Sequence, residues 1–139
     1  AIDVNPDYRV TKGDVIFSWS ASLMVKLWDG QDCILNQHLF KVTSERYPKW
    51  FYYLWCKYHL REFISISQAH ATTMGHIKRG DLDEAMVLIP DEEALRTMND
   101  IAHPIVERLI ANSAQIRTLT QLRDTLLPKL MSGEVRVAI

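Results

Sequence analysis

The sequence predicts an α+β fold: a small mixed sheet with one helix packed on it, followed by a long C-terminal helix of coiled-coil type. Three observations carry this. Short runs with strand chemistry, VIFSWS, MVKLW, CIL and HLFKV, crowd the first part of the chain between turn residues. Phe51, Leu54, Trp55 and Tyr58 then fall on one face of a helix. The last third, from Asp91 to about Leu127, carries an apolar stripe longer than a small domain can cover. Residues 1–90 therefore form the globular part, and residues 91–139 the long helix with a short tail.

Lys12-Gly13-Asp14 reads as a turn leading into VIFSWS, where Val15, Phe17 and Trp19 alternate with Ile16, Ser18 and Ser20. That half-polar alternation predicts a strand with one exposed face. Asp29-Gly30 is a hairpin-type signal between MVKLW and CIL. HLFKV supplies a further strand. Pro48 suits the first position of the aromatic helix, because its missing N–H costs nothing there. The run WFYYLW invites comparison with a base-stacking platform, but stacking readers usually sit on strands or loops, so packing on the sheet is the favoured reading. Ser65 to Gly80 lacks a steady period and reads as loop; AMVLIP reads as a short strand ended by Pro90.

Asp91 opens the terminal helix as N-cap, with Glu92 and Glu93 at the positive end of its dipole. Leu95, Met98, Ala102, Ile105, Leu109, Ile116, Leu119 and Leu126 follow in steps of three and four, interrupted by Asn112 and Arg123. Ile101, Val106, Ile110, Leu122 and Leu127 widen the stripe. The named positions, with Asn112 as a polar register pin, are the candidate helix-pairing surface. Pro104 predicts a kink or short break near Ala102–His103, and Pro128 is expected to close the helix before a turn at Ser132-Gly133.

Composition sets limits on function. Net charge is −1; residues 1–90 carry ten basic against ten acidic side chains, and residues 91–139 six against seven. The strongly basic footprint of an autonomous nucleic-acid binder is missing. No run reaches the roughly 18–20 apolar residues of a membrane span. Cys33 and Cys56 lack metal or redox spacing and read as buried, reduced thiols of a cytoplasmic protein.

Asp81, Asp83 and Glu84 lack the partners of a metal site and read as a turn cap; His70 and His76 lack a third ligand. No GxSxG, phosphate-binding glycine loop or GxGxxG occurs, nor the Asn/Asp-Pro-Pro-aromatic run of DNA amino-methyltransferases. Catalysis, metals and cofactors are not expected. Polar groups suited to reading nucleic acid are present: Ser18, Ser20 and Ser22 at a strand end with Lys26, the side-chain amides of Asn36 and Gln37 beside His38, and Thr72, Thr73, His76, Lys78 and Arg79 in the polar stretch. Taken one at a time, each is more often plain solvated surface.

Taken in order, KGDVIFSWSAS, ILNQHLFKV, the aromatic helix, HATTMGHIKRGDLDEAMVLIP and LRDTLLPKLMSGEVRV resemble the specificity subunit of type I restriction–modification enzymes over nearly the whole chain. The resemblance implies a non-catalytic component that reads one half of a bipartite double-stranded DNA target. On that pattern residues 1–90 correspond to the latter part of a target-recognition domain, and Asp91–Leu127 to a conserved spacer helix that pairs antiparallel with another and docks methyltransferase subunits. Methylation and restriction then belong to partner subunits. Such subunits have two recognition domains and two helices, with further strands before the Gly-Asp motif. The chain is therefore expected to be a piece of a longer subunit, or to restore the two-fold arrangement as a homodimer through the terminal helix. The competing reading is a helix-pairing adaptor without direct DNA readout.

Overall fold

The computed structural model of the protein describes residues 5–69 and 76–136. After a 3₁₀ turn at Pro6–Tyr8, β1 (Arg9–Val10) pairs with β4 (Cys33–Ile34). β2 (Val15–Ser18) is the centre of a three-stranded sheet, between β3 (Met24–Leu27) and β5 (Leu39–Val42). Among the described residues three helices follow: α1 (Lys49–Ala69), the short α2 (Arg79–Asp83) and α3 (Glu92–Met131). The architecture is α+β as expected, with the ladders among the described residues all antiparallel and split between two small sheets.

The turn before β2 ties these parts together. Gly13 has φ +89°, a left-handed conformation that costs a side-chain-bearing residue, and a Cβ there would crowd Lys49 Nζ at 3.1 Å and lie in ordinary contact with Ile110 Cδ1 at 3.5 Å. Its N–H donates to Trp28 O at 2.8 Å, while Trp28 N–H donates to Asp14 O at 2.7 Å, closing the β2–β3 ladder. Asp14 accepts from the Thr11 N–H at 2.8 Å and pairs with Lys41 of β5 at 3.3 Å. One turn thus reaches β3, β5, α1 and α3.

Several expectations change. β2 has no exposed face: Ile16 and Ser18 are buried along with Val15 and Phe17. Ile16 sits between its cross-strand neighbours Lys26 and Lys41, and the Lys41 ammonium is drawn to Asp14 and to Arg9 O at 2.8 Å, leaving its stem along the sheet. Ser18 satisfies its hydroxyl locally by donating to Ser20 O at 3.2 Å. Asp29-Gly30 does not join a hairpin, because β3 is already paired with β2 and β4 belongs to the other sheet. Instead the loop meets α3: a Cβ on Gly30 would lie 2.7 Å from Arg117 Nη1, and the Lys26 ammonium bonded to Asp29, with Arg117 behind it, holds that carboxyl below its ordinary value.

α1 starts after Pro48 as expected but buries a different face, Trp50, Phe51, His59, Phe63 and Ser67, leaving Leu54 and Tyr58 exposed. It also continues through Ser65–Ala69, which read as loop. The helix serves two neighbours, the sheet on one side and α3 on the other, so a single-stripe reading missed its orientation. Ala85–Pro90 forms no strand; a helix lies beside it where a ladder partner would be needed. Met86 O accepts from His59 Nε2 at 3.0 Å, and the other ring nitrogen faces the Glu62 carboxylate at 3.1 Å.

α3 begins where expected, with the Asp91 side chain accepting from the Ala94 N–H at 2.8 Å. Neither proline ends it. The helix runs unbroken through Pro104 and Pro128 to Met131, capped by Ser132 and by Gly133 at φ +76°. Each proline removes one donor on an exposed part of the helix, where water can serve the carbonyl left behind. At 40 residues α3 is about 60 Å long. Its first half lies on the domain, with Val106 and Ile110 buried and Trp50 Nε1 donating to Asn99 Oδ1 at 2.9 Å. Every residue from Gln115 to Arg136 is exposed.

Cys33 is exposed, not buried, and only Cys56 is sheltered, where burial pushes its thiol up. Iodoacetamide at mildly alkaline pH is expected to modify Cys33 well ahead of Cys56, as read by peptide mass spectrometry. Ile110→Ala, which empties the contact between the Gly13 turn, α1 and α3, is expected to lower unfolding free energy by about 2–5 kcal/mol in urea titrations.

Candidate nucleic-acid interface

The end of the central sheet away from the Gly13 turn gathers most of the polar residues singled out above. β2 leaves the sheet at Ser18 and passes through Trp19, Ser20, Ala21 and Ser22 before β3 begins; β5 enters from Asn36, Gln37 and His38. Trp19 N–H donates to His38 O at 3.4 Å, and its Nε1 donates to Gln37 O at 3.3 Å. From the third side, His76 bridges Ser20 and the Ile77 N–H donates to Trp19 O at 3.0 Å. Ile77 is buried, so it pins the start of the segment that carries Lys78 and Arg79. Three separate stretches of sequence converge.

The hydrogen-bond polarity of this cluster follows from its chemistry. The Gln37 amide nitrogen can only donate, so at 3.4 Å His38 Nε2 accepts and His38 Nδ1 carries the proton toward Ser20 Oγ, 3.2 Å away. Ser20 is left with its own proton to give, and Gln37 with a free carbonyl oxygen and one N–H. Asn36 is less available, because its Oδ1 accepts from the His38 N–H at 2.9 Å and shapes the turn. Gln37 is thus the amide best placed for a two-bond contact with adenine. Lys78 keeps an exposed side chain while its N–H donates to Asp81 Oδ2 at 2.9 Å, so Asp81 caps α2 as its turn-cap reading required.

Other residues fall elsewhere. Ser18 is buried and structural. Ser22 is exposed on the β2–β3 turn, within the cluster's reach. Lys26 points to the opposite end of the hairpin, paired with Asp29 at 3.0 Å beside α3. Thr72 and Thr73 lie outside the described residues. Of the helix-pairing set, Leu95 and Ala102 are half-buried against the protein's own domain, while Met98, Ile105, Leu109, Asn112, Ile116, Leu119 and Leu126 are exposed.

Sequence reasoning passed over Trp19 and Ala21. Trp19 stacks on Phe40 and tilts over His38, building the floor on which the polar groups stand. A tryptophan among serines at a strand's end was the available signal. Ala21 has φ 58°, the left-handed region that favours glycine, and nothing in its neighbours announces that.

The arrangement can do recognition chemistry: exposed donors, acceptors and cations on a small rigid platform. Among the described residues no cluster of His, Cys, Asp and Glu is placed to hold a metal ion, and no helix is long and apolar enough to cross a membrane. Residues 1–126 match the family described as the type I restriction modification DNA specificity domain. The chain belongs to this family. Type I specificity domains include a relative in Methanocaldococcus jannaschii, the type I restriction enzyme MjaIX specificity subunit, 31% identical over 102 residues. That alignment covers 72% of this chain but only 23% of the relative's length.

In this specificity domain the strained turn stands beside the polar cluster, so its backbone can be tested without touching those side chains. Ala21→Gly is expected to raise stability by about 1 kcal/mol and Ala21→Val to lower it by at least as much, measured as shifts of the urea midpoint.

Proposed function

We propose that this domain reads one half of a two-part double-stranded DNA sequence, without catalysing any reaction itself. The convergence of Ser20, Gln37, His38 and His76, next to Lys78 and Arg79, carries the proposal. Family membership supports the same reading. Base-edge contacts fall to Gln37, His38 and Ser20, and phosphate contacts to Lys78 and Arg79, with Thr72 and Thr73 as further donors. α3 serves as the spacer toward the second half-site and as the docking surface for methyltransferase subunits, which supply the chemistry, with restriction subunits beyond them. Two copies pair through α3 as a homodimer, which restores two half-site readers about a two-fold axis.

The even charge balance of residues 1–90 supports a division of labour. Phosphate neutralisation supplies most non-specific affinity, so a near-neutral reader leans on its partners for that part. The same balance is what favours the second reading, a helix-pairing adaptor without direct DNA contact.

The two readings separate on one experiment. Lys78→Ala with Arg79→Ala is expected to weaken binding to a duplex carrying the host's methylated site about tenfold and to flatten the salt dependence by roughly two counterions, with dimerisation intact. Gln37→Ala is expected to relax preference at a single base pair, by about 1–3 kcal/mol. Unchanged DNA affinity in both variants would establish the adaptor. Binding by the domain alone is expected to be weak and salt-sensitive, and to tighten when modification subunits are added.

A further inference from the structure

Gln37 and His38 stand side by side just before β5, both exposed, and share one hydrogen-bond chain with Ser20. The chain has a direction. With a neutral ring, Nδ1–H donates to Ser20 Oγ at 3.2 Å, and Nε2 accepts from the Gln37 amide nitrogen at 3.4 Å. The amide nitrogen is thus held on the histidine, while the Gln37 carbonyl oxygen and remaining N–H face away from it. One acceptor beside one donor complements adenine, whose major-groove edge offers N7 and the N6 amino group.

A second proton on the ring changes one end of the chain only. Nδ1–H keeps donating to Ser20, whose hydroxyl accepts in either state. Nε2–H, however, now points at an amide nitrogen that also only donates, 3.4 Å away. Turning the Gln37 carboxamide over removes the conflict: its oxygen accepts from Nε2–H, and the amino group takes the place the oxygen had. Gln37 is exposed, which leaves its terminal amide room to turn. Its outer edge then shows donors, which complement the N7 and O6 acceptors of guanine.

The frame around this exchange is fixed by other bonds. Trp19 Nε1 donates to Gln37 O, and the His38 N–H donates to Asn36 Oδ1, whichever charge the ring carries. Facing the ring are Trp19 and Ser20 from the end of β2, Gln37 on its own segment, and His76 across the Ser20 bridge, with Lys78 beyond it. No carboxylate is among them, so the proton passes between ring and solvent. Histidine ordinarily changes charge between about pH 5 and 8.

We infer that His38 is a positioning residue that decides which base Gln37 reads: adenine when the ring is neutral, guanine when it is protonated. The inference rests on the proposed reading of DNA by this end of the sheet and adds what sets its base choice.

The test has two arms, both on the full chain. Nitrogen NMR reports the network without DNA. At about pH 8 His38 is expected as the Nδ1–H tautomer, and on acidification the Gln37 side-chain amide signals are expected to move with the His38 titration. An Nε2–H tautomer, or Gln37 signals that ignore the titration, overturns the inference. The second arm measures binding to duplexes with adenine or guanine at the base pair where Gln37→Ala relaxes preference. The affinity ratio, adenine over guanine, is expected to fall about tenfold between about pH 8 and about pH 5.5. His38→Phe keeps an aromatic ring beside Trp19 but takes no proton, and its ratio is expected to be the same at both pH values. If the ratio ignores pH in the natural chain while Gln37→Ala still relaxes preference, the inference falls and the DNA reading stands. A pH dependence that survives His38→Phe assigns the effect to another group, His76 first, and also overturns the inference. If no base pair responds to Gln37→Ala, the inference falls together with base readout by Gln37.

Discussion

The structure depends on one close approach: the Gly13 turn set against Ile110. A side chain at position 13 would strain the backbone and crowd the Lys49 ammonium. With glycine there, the β2–β3 ladder, the start of α1 and the middle of α3 meet within one turn of chain. The direction in which α3 leaves the domain is therefore decided by backbone geometry, reinforced by Trp50 on Asn99 and by the Gly30 loop against Arg117. The surface ion pair Lys49–Glu107, at 3.6 Å and partly exposed, adds little to this. A long helix magnifies any error at its root. Tilting α3 by a few degrees at Ile110 would displace its far end, about 30 Å away, by about 2 Å, so the position of that end depends on a stiff root.

The parts of the fold that were legible in the sequence are those specified locally. The Asp91 cap, the Pro48 start, the Lys12–Asp14 turn and the strand β5 each depend on residues within a few positions of one another. What was illegible depends on partners distant in sequence. Ile16 reads as the solvent side of a half-polar strand until Lys41 is drawn across it by Asp14. AMVLIP has the apolar run of a short strand, but the neighbour it meets is α1, and the Met86 carbonyl accepts from His59. Pro128 has the chemistry of a stop signal, yet near an exposed helix end the lost bond is small beside the continuing ladder. The recognition cluster was legible as residue types and not as a site. Gln37, His38 and Ser20 come from two segments, and only the pairing of β2 with β5 shows that they share one network.

That network also bears on how a nearly neutral domain can be selective. Hydrogen bonds already made within the cluster fix side-chain rotamers before any ligand arrives, which lowers the entropy lost on binding. They also use up part of each residue's capacity, so the groups left over define a narrower pattern than the residue list implies. Asn36, whose oxygen is committed to the turn, is the clearest instance. On the proposed reading, a platform of this kind would contribute discrimination more than affinity. On that reading, long-range attraction to phosphate would come mainly from elsewhere, in keeping with ten basic and ten acidic residues in residues 1–90.

The second half of α3 presents the opposite problem, exposed apolar surface without cover. An isolated helix of about 20 residues is marginal in water, and proline inside it makes matters worse. The sequence offers capping by Ser132 and Gly133 and a few side-chain pairs, none worth more than about 1 kcal/mol. Those gains do not explain why Ile116, Leu119, Leu126 and Leu130 keep the period of the buried half after the domain has ended. A solvated strut would be better built from charged residues. Apolar residues at these positions lower solubility and contribute nothing to the chain alone, so their recurrence has a physical use only if another surface covers them.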